Sequence, residues 1–139
     1  MAQPNGLNPT LTQPRIETPI ITNTPQAINA TATATAGQVK SGYITSTSAA
    51  ATAITLPTGT LLGAELNAVR GTVLDLFVDN TAGANTVTIA VAVNGILSAL
   101  AAANGAESGL LTVPSGITGQ ACFRLMFSSA TAYTFSRIA

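Results

Sequence analysis

The chain has 139 residues, so one domain is expected, with room for a tail. Charged residues make up 7% of it, against about 25% in an ordinary globular protein, and the formal net charge is zero. Such a surface has no field to gather nucleic acid or anionic lipid, and Arg15, Lys40, Arg70, Arg124 and Arg137 are scattered, so neither a nucleic-acid nor a membrane partner is expected.

The opening MAQPNG has neither the basic nor the apolar region of a signal peptide, so synthesis in a reducing cytoplasm is expected. Prolines then fall at Pro4, Pro9, Pro14, Pro19 and Pro25. Each ring removes a backbone donor and clashes with the preceding helical turn, and none suits a central strand. Residues 1–36 therefore read as an extended, semi-rigid arm ending in the tract ATATATA, Ala30 to Ala36. Thirty-six extended residues reach on the order of 100 Å, whereas a domain of this size has a radius of gyration of roughly 13 Å. Leu7, Leu11, Ile16, Ile20, Ile21 and Ile28, with Arg15 among them, are too many apolar side chains for a solvating tail. The arm is expected to bind a partner.

Residues 37–139 read as strands. QVKSGYITSTS (Gln38 to Ser48) is the first, and ATAITLP (Ala51 to Pro57) puts Ile54 and Leu56 on one face. TGTLLGAELNAVRG (Thr58 to Gly71) is the helical candidate, with Leu62, Leu66 and Val69 at helical spacing and Gly71 as a terminator. TVLDLFVDN (Thr72 to Asn80) alternates Leu74, Leu76 and Val78 against Asp75 and Asp79. TAGAN is a turn, and TVTIAVAV (Thr86 to Val93) follows with Val87, Ile89, Val91 and Val93 in one row. Asn94-Gly95 predicts a hairpin that returns Ile96 to Leu100 onto that strand. LLTVPSG (Leu110 to Gly116), GQACFRLMFSS (Gly119 to Ser129) and AYTFSRIA (Ala132 to Ala139) complete the series. The least polar window, Val87 to Ala103, is too interrupted for a membrane helix, which needs roughly 18 apolar residues. Regularly spaced short strands predict an all-β domain, a β-sandwich or jelly roll with one short helix and an extended N-terminal arm.

Little here points to reaction chemistry. Histidine is absent, which removes Ser-His-Asp and Cys-His sites and most transition-metal sites. Asp75 and Asp79 share a strand face but sit roughly 13 Å apart, too far to hold one cation directly. Glu65 and Glu107 are isolated, and Cys122 is the only cysteine. Arg124 shares its strand face, yet a small buried hydrophobe is the plainer reading of that thiol. Ala90 and Ala92 leave a strand face thinly covered, as a subunit interface would. Ala90, Ala92 and Cys122 are thus the candidate interface residues. No enzyme, cofactor or metal is expected.

SGYITSTSAAATAITLPTGTLLGAEL, GTVLDLFVDNTAGANTVTIAVAVNGI and FRLMFSSATAYTFSRIA together resemble the capsid decoration, or cement, proteins of tailed bacteriophages. The resemblance spans roughly Ser41 to Ala139 and rests on a style of sequence, not on a catalytic motif. It implies a homotrimeric β-sandwich on the outer capsid surface of the virion, holding major capsid protein subunits together. The arm would then be the clamp. A tail, fibre or head-fibre component is the alternative. A carbohydrate-binding module is a third reading, weakened by the absence of Trp.

Overall fold

The computed structural model describes residues 21–98 and 111–139. Its first strand, β1 (Gln26–Ala27), belongs to one sheet and the second, β2 (Ala32–Thr33), to another. The next pair repeats the step: β3 (Tyr43–Thr45) lies beside β1, and β4 (Thr52–Thr55) beside β2. A third pair follows, with β5 (Val73–Asp79) beside β3 and β6 (Val87–Ala90) beside β4. All of these neighbours are parallel, so the chain winds between two sheets and adds one strand to each on every circuit.

The winding then closes with longer strands. β7 (Gly95–Leu97) and β8 (Thr112–Val113) are short. A 3-10 turn at Gly116–Thr118 leads into β9 (Gln120–Ser129) and β10 (Ala132–Arg137). The six-stranded sheet has the order β1-β3-β5-β9-β10-β7 and the four-stranded sheet the order β2-β4-β6-β8. β9 runs antiparallel to both β5 and β10, β8 antiparallel to β6, and β7 parallel to β10.

The expected all-β sandwich or jelly roll is therefore overturned. The described residues form two mixed sheets with mostly parallel strands and two short helices, an α/β-type arrangement. The physical reason is that alternation reports a half-buried strand but not its partner. Parallel neighbours need a crossover of a dozen or more residues. Here the strand laid in the opposite sheet serves as much of that crossover.

The helices sit on the crossovers. α1 (Ala36–Lys40) opens with a capping box: Gln38 N–H donates to Thr35 Oγ1 at 3.1 Å, and Thr35 N–H donates to Gln38 Oε1 at 2.9 Å. It overlaps the start of the stretch expected to be a strand from Gln38. α2 (Gly59–Leu66) starts at Thr58, whose Oγ1 accepts from Leu61 N–H at 3.2 Å. Asn67 ends it in the left-handed region at φ 51°, before Gly71 is reached. Val69 is consequently outside the helix and exposed. α2 also lies so close to the β9–β10 turn that a Cβ at Gly63 would overlap the Ala130 carbonyl.

The expected Asn94-Gly95 hairpin does not form either. Asn94 does take the left-handed conformation at φ 63°, yet β7 pairs with β10 and not with β6. Gly95 passes so near the Tyr133 hydroxyl that a Cβ there would lie 2.7 Å from it. That hydroxyl is buried and donates to Pro57 O at 2.9 Å. Burial pushes the phenol up to about 12.

One core lies between the sheets. Ile44, Leu76 and Phe123 face it from one side, Ile54, Ile89 and Val113 from the other. Phe123 of β9 stacks on Phe135 of β10 at 4.9 Å between ring centres. Ile28 and Ala34, from the segment read as arm, are also in this core. Of the other arm residues, Leu7, Leu11, Arg15, Ile16 and Ile20 lie outside the described residues.

Asn80, fully buried just after β5, ties three segments together. Its Nδ2 faces Asn85 O at 2.7 Å, Pro114 O at 3.0 Å and Val113 O at 3.1 Å. Asn80→Leu should destabilise the protein by about 2 kcal/mol, because the carbonyls of Asn85, Val113 and Pro114 lose a donor that is itself fully buried. Urea unfolding of the two proteins measures it. A difference within about 0.5 kcal/mol, as at an ordinary surface position, would contradict the assigned role.

Candidate interaction face

The six-stranded sheet has one face on the core and one away from it. Because β5 and β9 are antiparallel and in register, their outward side chains come in opposed pairs: Val73 with Met126, Asp75 with Arg124, Phe77 with Cys122, and Asp79 with Gln120. The intervening Leu76, Val78, Phe123 and Leu125 are buried on the other side. β3 extends the third row, with Tyr43 beside Phe77. The result is a layered surface. A Val73/Met126 row and a Tyr43/Phe77/Cys122 row flank a row of one acid and one base.

The apolar rows are open to solvent. Val73 is 50% exposed, Met126 49% and Phe77 48%. Single exposed hydrophobes need no explanation, but a contiguous set on one sheet marks a contact surface. Cys122 is the exception at 7% exposed, sheltered in the floor of the row.

The charged row is a two-pronged pair. Arg124 Nε donates to Asp75 Oδ1 at 2.7 Å and Nη2 to Oδ2 at 2.8 Å. These hydrogen bonds hold the Asp75 carboxyl below its ordinary value. Both side chains remain partly exposed, at 36% for Asp75 and 43% for Arg124. With Arg124 committed to Asp75, it does little to activate the neighbouring thiol. Burial, reinforced by the Asp75 charge, pushes Cys122 up. The reactive reading of Cys122 loses its physical basis.

At one end of the face the chain itself crosses. Ile21, Asn23, Tyr43, Phe77, Asp79 and Cys122 line an open groove of about 530 Å³. Ile21 stands 80% exposed at its side. Asn23 rests over Gly42, where φ is +76° and a Cβ would come within 3.2 Å of Asn23 Nδ2. Asp79 closes the polar end. Its Oδ2 accepts from Tyr43 Oη at 2.9 Å, and its Oδ1 accepts from Thr81 N–H at 2.9 Å and Thr81 Oγ1 at 2.6 Å. Those Thr81 bonds, with the Tyr43 bond adding, hold the Asp79 carboxyl low.

The sequence-named residues thus separate. Cys122 lies on this face, and Ile21 lines its groove. Ala90 is half-buried at the end of β6 in the other sheet, paired with Thr55 of β4, and Ala92 lines a second open groove beside α2 with Leu61. The two alanines and the thiol do not meet. Glu65 pairs with Lys40 at 3.0 Å, linking α2 to α1, and Glu107 lies outside the described residues. Sequence reasoning missed Val73, Phe77, Met126 and the Asp75–Arg124 pair as a surface. The signal was present as two alternating strands, but only the antiparallel register joins them. Among the described residues no group of three or more acidic, histidine or cysteine side chains is placed to hold a metal, and no helix is long and apolar enough to cross a membrane.

Asp75 and Asp79 are both depressed in the folded state, so the stability they contribute is present above the ordinary aspartate value of 3.8 and is lost as pH falls through their folded values. The melting temperature should therefore fall as pH drops below about 4, and the double variant Asp75→Asn/Asp79→Asn should show a shallower fall. Identical acid limbs for the two proteins in a differential scanning series would contradict this. A scan against protein-family models finds no match to the chain, and searches of curated proteins and of solved structures find none either.

Proposed function

We propose that this chain is a structural virion protein of a tailed bacteriophage, a decoration protein that binds the outside of the capsid and strengthens contacts between major capsid proteins. The observation that carries the reading is the open, layered face of the six-stranded sheet. Its exposed Val73, Phe77 and Met126 surround a single acid–base pair, which is the make-up of a contact surface and offers no reacting group. The zero net charge fits the same role, since many copies on one shell then repel one another little. The resemblance of Ser41 to Ala139 to cement proteins supplies the assembly, and a homotrimer is the form it implies.

The proline-spaced N-terminal segment serves as the clamp in this reading. Its extent is narrower than residues 1–36, because β1, β2, Ile28 and Ala34 belong to the folded unit. A tail or fibre component is the second reading. It is favoured by β1 and β2, which close one edge of each sheet and can be extended by a neighbouring strand.

The test is a truncation that stops short of β1. A chain lacking residues 1–20 should keep its melting transition but show at least tenfold weaker binding to heads of its phage stripped of this protein. Full-strength binding of the truncated chain removes the clamp. Binding of the full chain to isolated tails and not to heads overturns the decoration reading in favour of the second.

A further inference from the structure

The register of β5 against β9 has a symmetry consequence. Each outward residue of β5 stands directly opposite an outward residue of β9: Val73 opposite Met126, Asp75 opposite Arg124, Phe77 opposite Cys122. A two-fold axis lying in the face, parallel to the strands and midway between β5 and β9, exchanges the members of every such pair. If a second copy is laid on the first about that axis, β5 of one covers β9 of the other at the same level. Asp75 then meets the second copy's Arg124, and Arg124 its Asp75. Val73 meets Met126, and Phe77 meets the Cys122 row.

No other in-plane axis does as well. A two-fold axis running across the strands through the charged row would set Asp75 on Asp75 and Arg124 on Arg124. The face is therefore charge-complementary to itself in one orientation and repulsive in the other, which fixes the geometry as well as the partner. The charges are placed to take part, since neither Asp75 nor Arg124 is buried by its own chain. The half-exposed Val73, Met126 and Phe77 on both sides leave water on stacking, and the chain's net neutrality removes long-range opposition between copies.

We propose that the partner of this face is a second copy of the same chain, stacked sheet to sheet about a two-fold axis parallel to β5 and β9. This stands without the capsid reading; where both hold, the face serves contact between copies and attachment to the shell falls to the N-terminal segment. A three-fold contact elsewhere on the molecule is compatible with it, because the two use different surfaces.

The experiment uses the full chain and measures native mass by light scattering up to the highest soluble concentration. Met126→Lys leaves the Asp75–Arg124 pair intact and puts a charge into an apolar row. Asp75→Arg and Arg124→Asp each make all four charges at the stack alike. The wild type should have twice the mass of each of these three variants. An equal mixture of Asp75→Arg and Arg124→Asp should regain the wild-type mass, because each chain then offers the other its opposite sign. The mixture separates a lost contact from a lost fold, since misfolded chains would not recover. Equal mass for the wild type and Met126→Lys at every concentration overturns the proposal and assigns the face to a different macromolecule. So does a mixture that stays at the mass of its components.

Discussion

The pairing of β5 with β9 is the constraint on which the rest depends. It is the longest ladder among the described residues, and it sets both faces of the six-stranded sheet at once. On the inner side it brings Leu76 to Phe123 and Leu74 to Leu125. On the outer side it brings Asp75 to Arg124 and Val73 to Met126. A slip of β5 by one residue against β9 would send Asp75 toward the core and expose Leu76, so core and contact surface are specified by one register. Asn80 pins the end of that ladder by holding the next turn and β8 to it.

The winding explains why so short a chain needs this anchor. β1, β2 and β3 have only two or three residues each, and such strands hold little by themselves. They are stable as successive layers on β5 and β6, with Ile28, Ile44 and Val78 filling the space between the sheets. Helix α2 closes the side by close approach at Gly63, and Tyr133 joins β10 to the crossover through Pro57.

Much of the inner surface was legible in the sequence. Leu76 and Val78 in β5, and Phe123, Leu125 and Phe127 in β9, follow from alternation alone. The pairing was not legible, because a period of two is the same for parallel and antiparallel neighbours. Asn94-Gly95 carries a true local signal, the left-handed turn, but β7 finds its ladder on β10. Val69 shows the same limit for helices: its spacing suits α2, yet Asn67 ends the helix first. The outer face was hidden for a related reason. Phe77 and Met126 each look like an isolated apolar residue on a polar side of a strand, and only their juxtaposition makes a surface. At the N-terminal end, proline spacing argues against helix and central strand, but it says nothing of Ile28, which enters the core beside β1.

In the proposed stack the outer face of the six-stranded sheet is covered by a second copy. Hydroxyl-radical footprinting of the intact chain at low and at high protein concentration tests that most directly, with oxidation of Met126 as the readout, because this thioether is half-exposed in the single chain. Protection of Met126 that grows with concentration, while an exposed residue away from the face such as Leu61 stays equally reactive, is the predicted result. Oxidation of Met126 that is the same at both concentrations would contradict it.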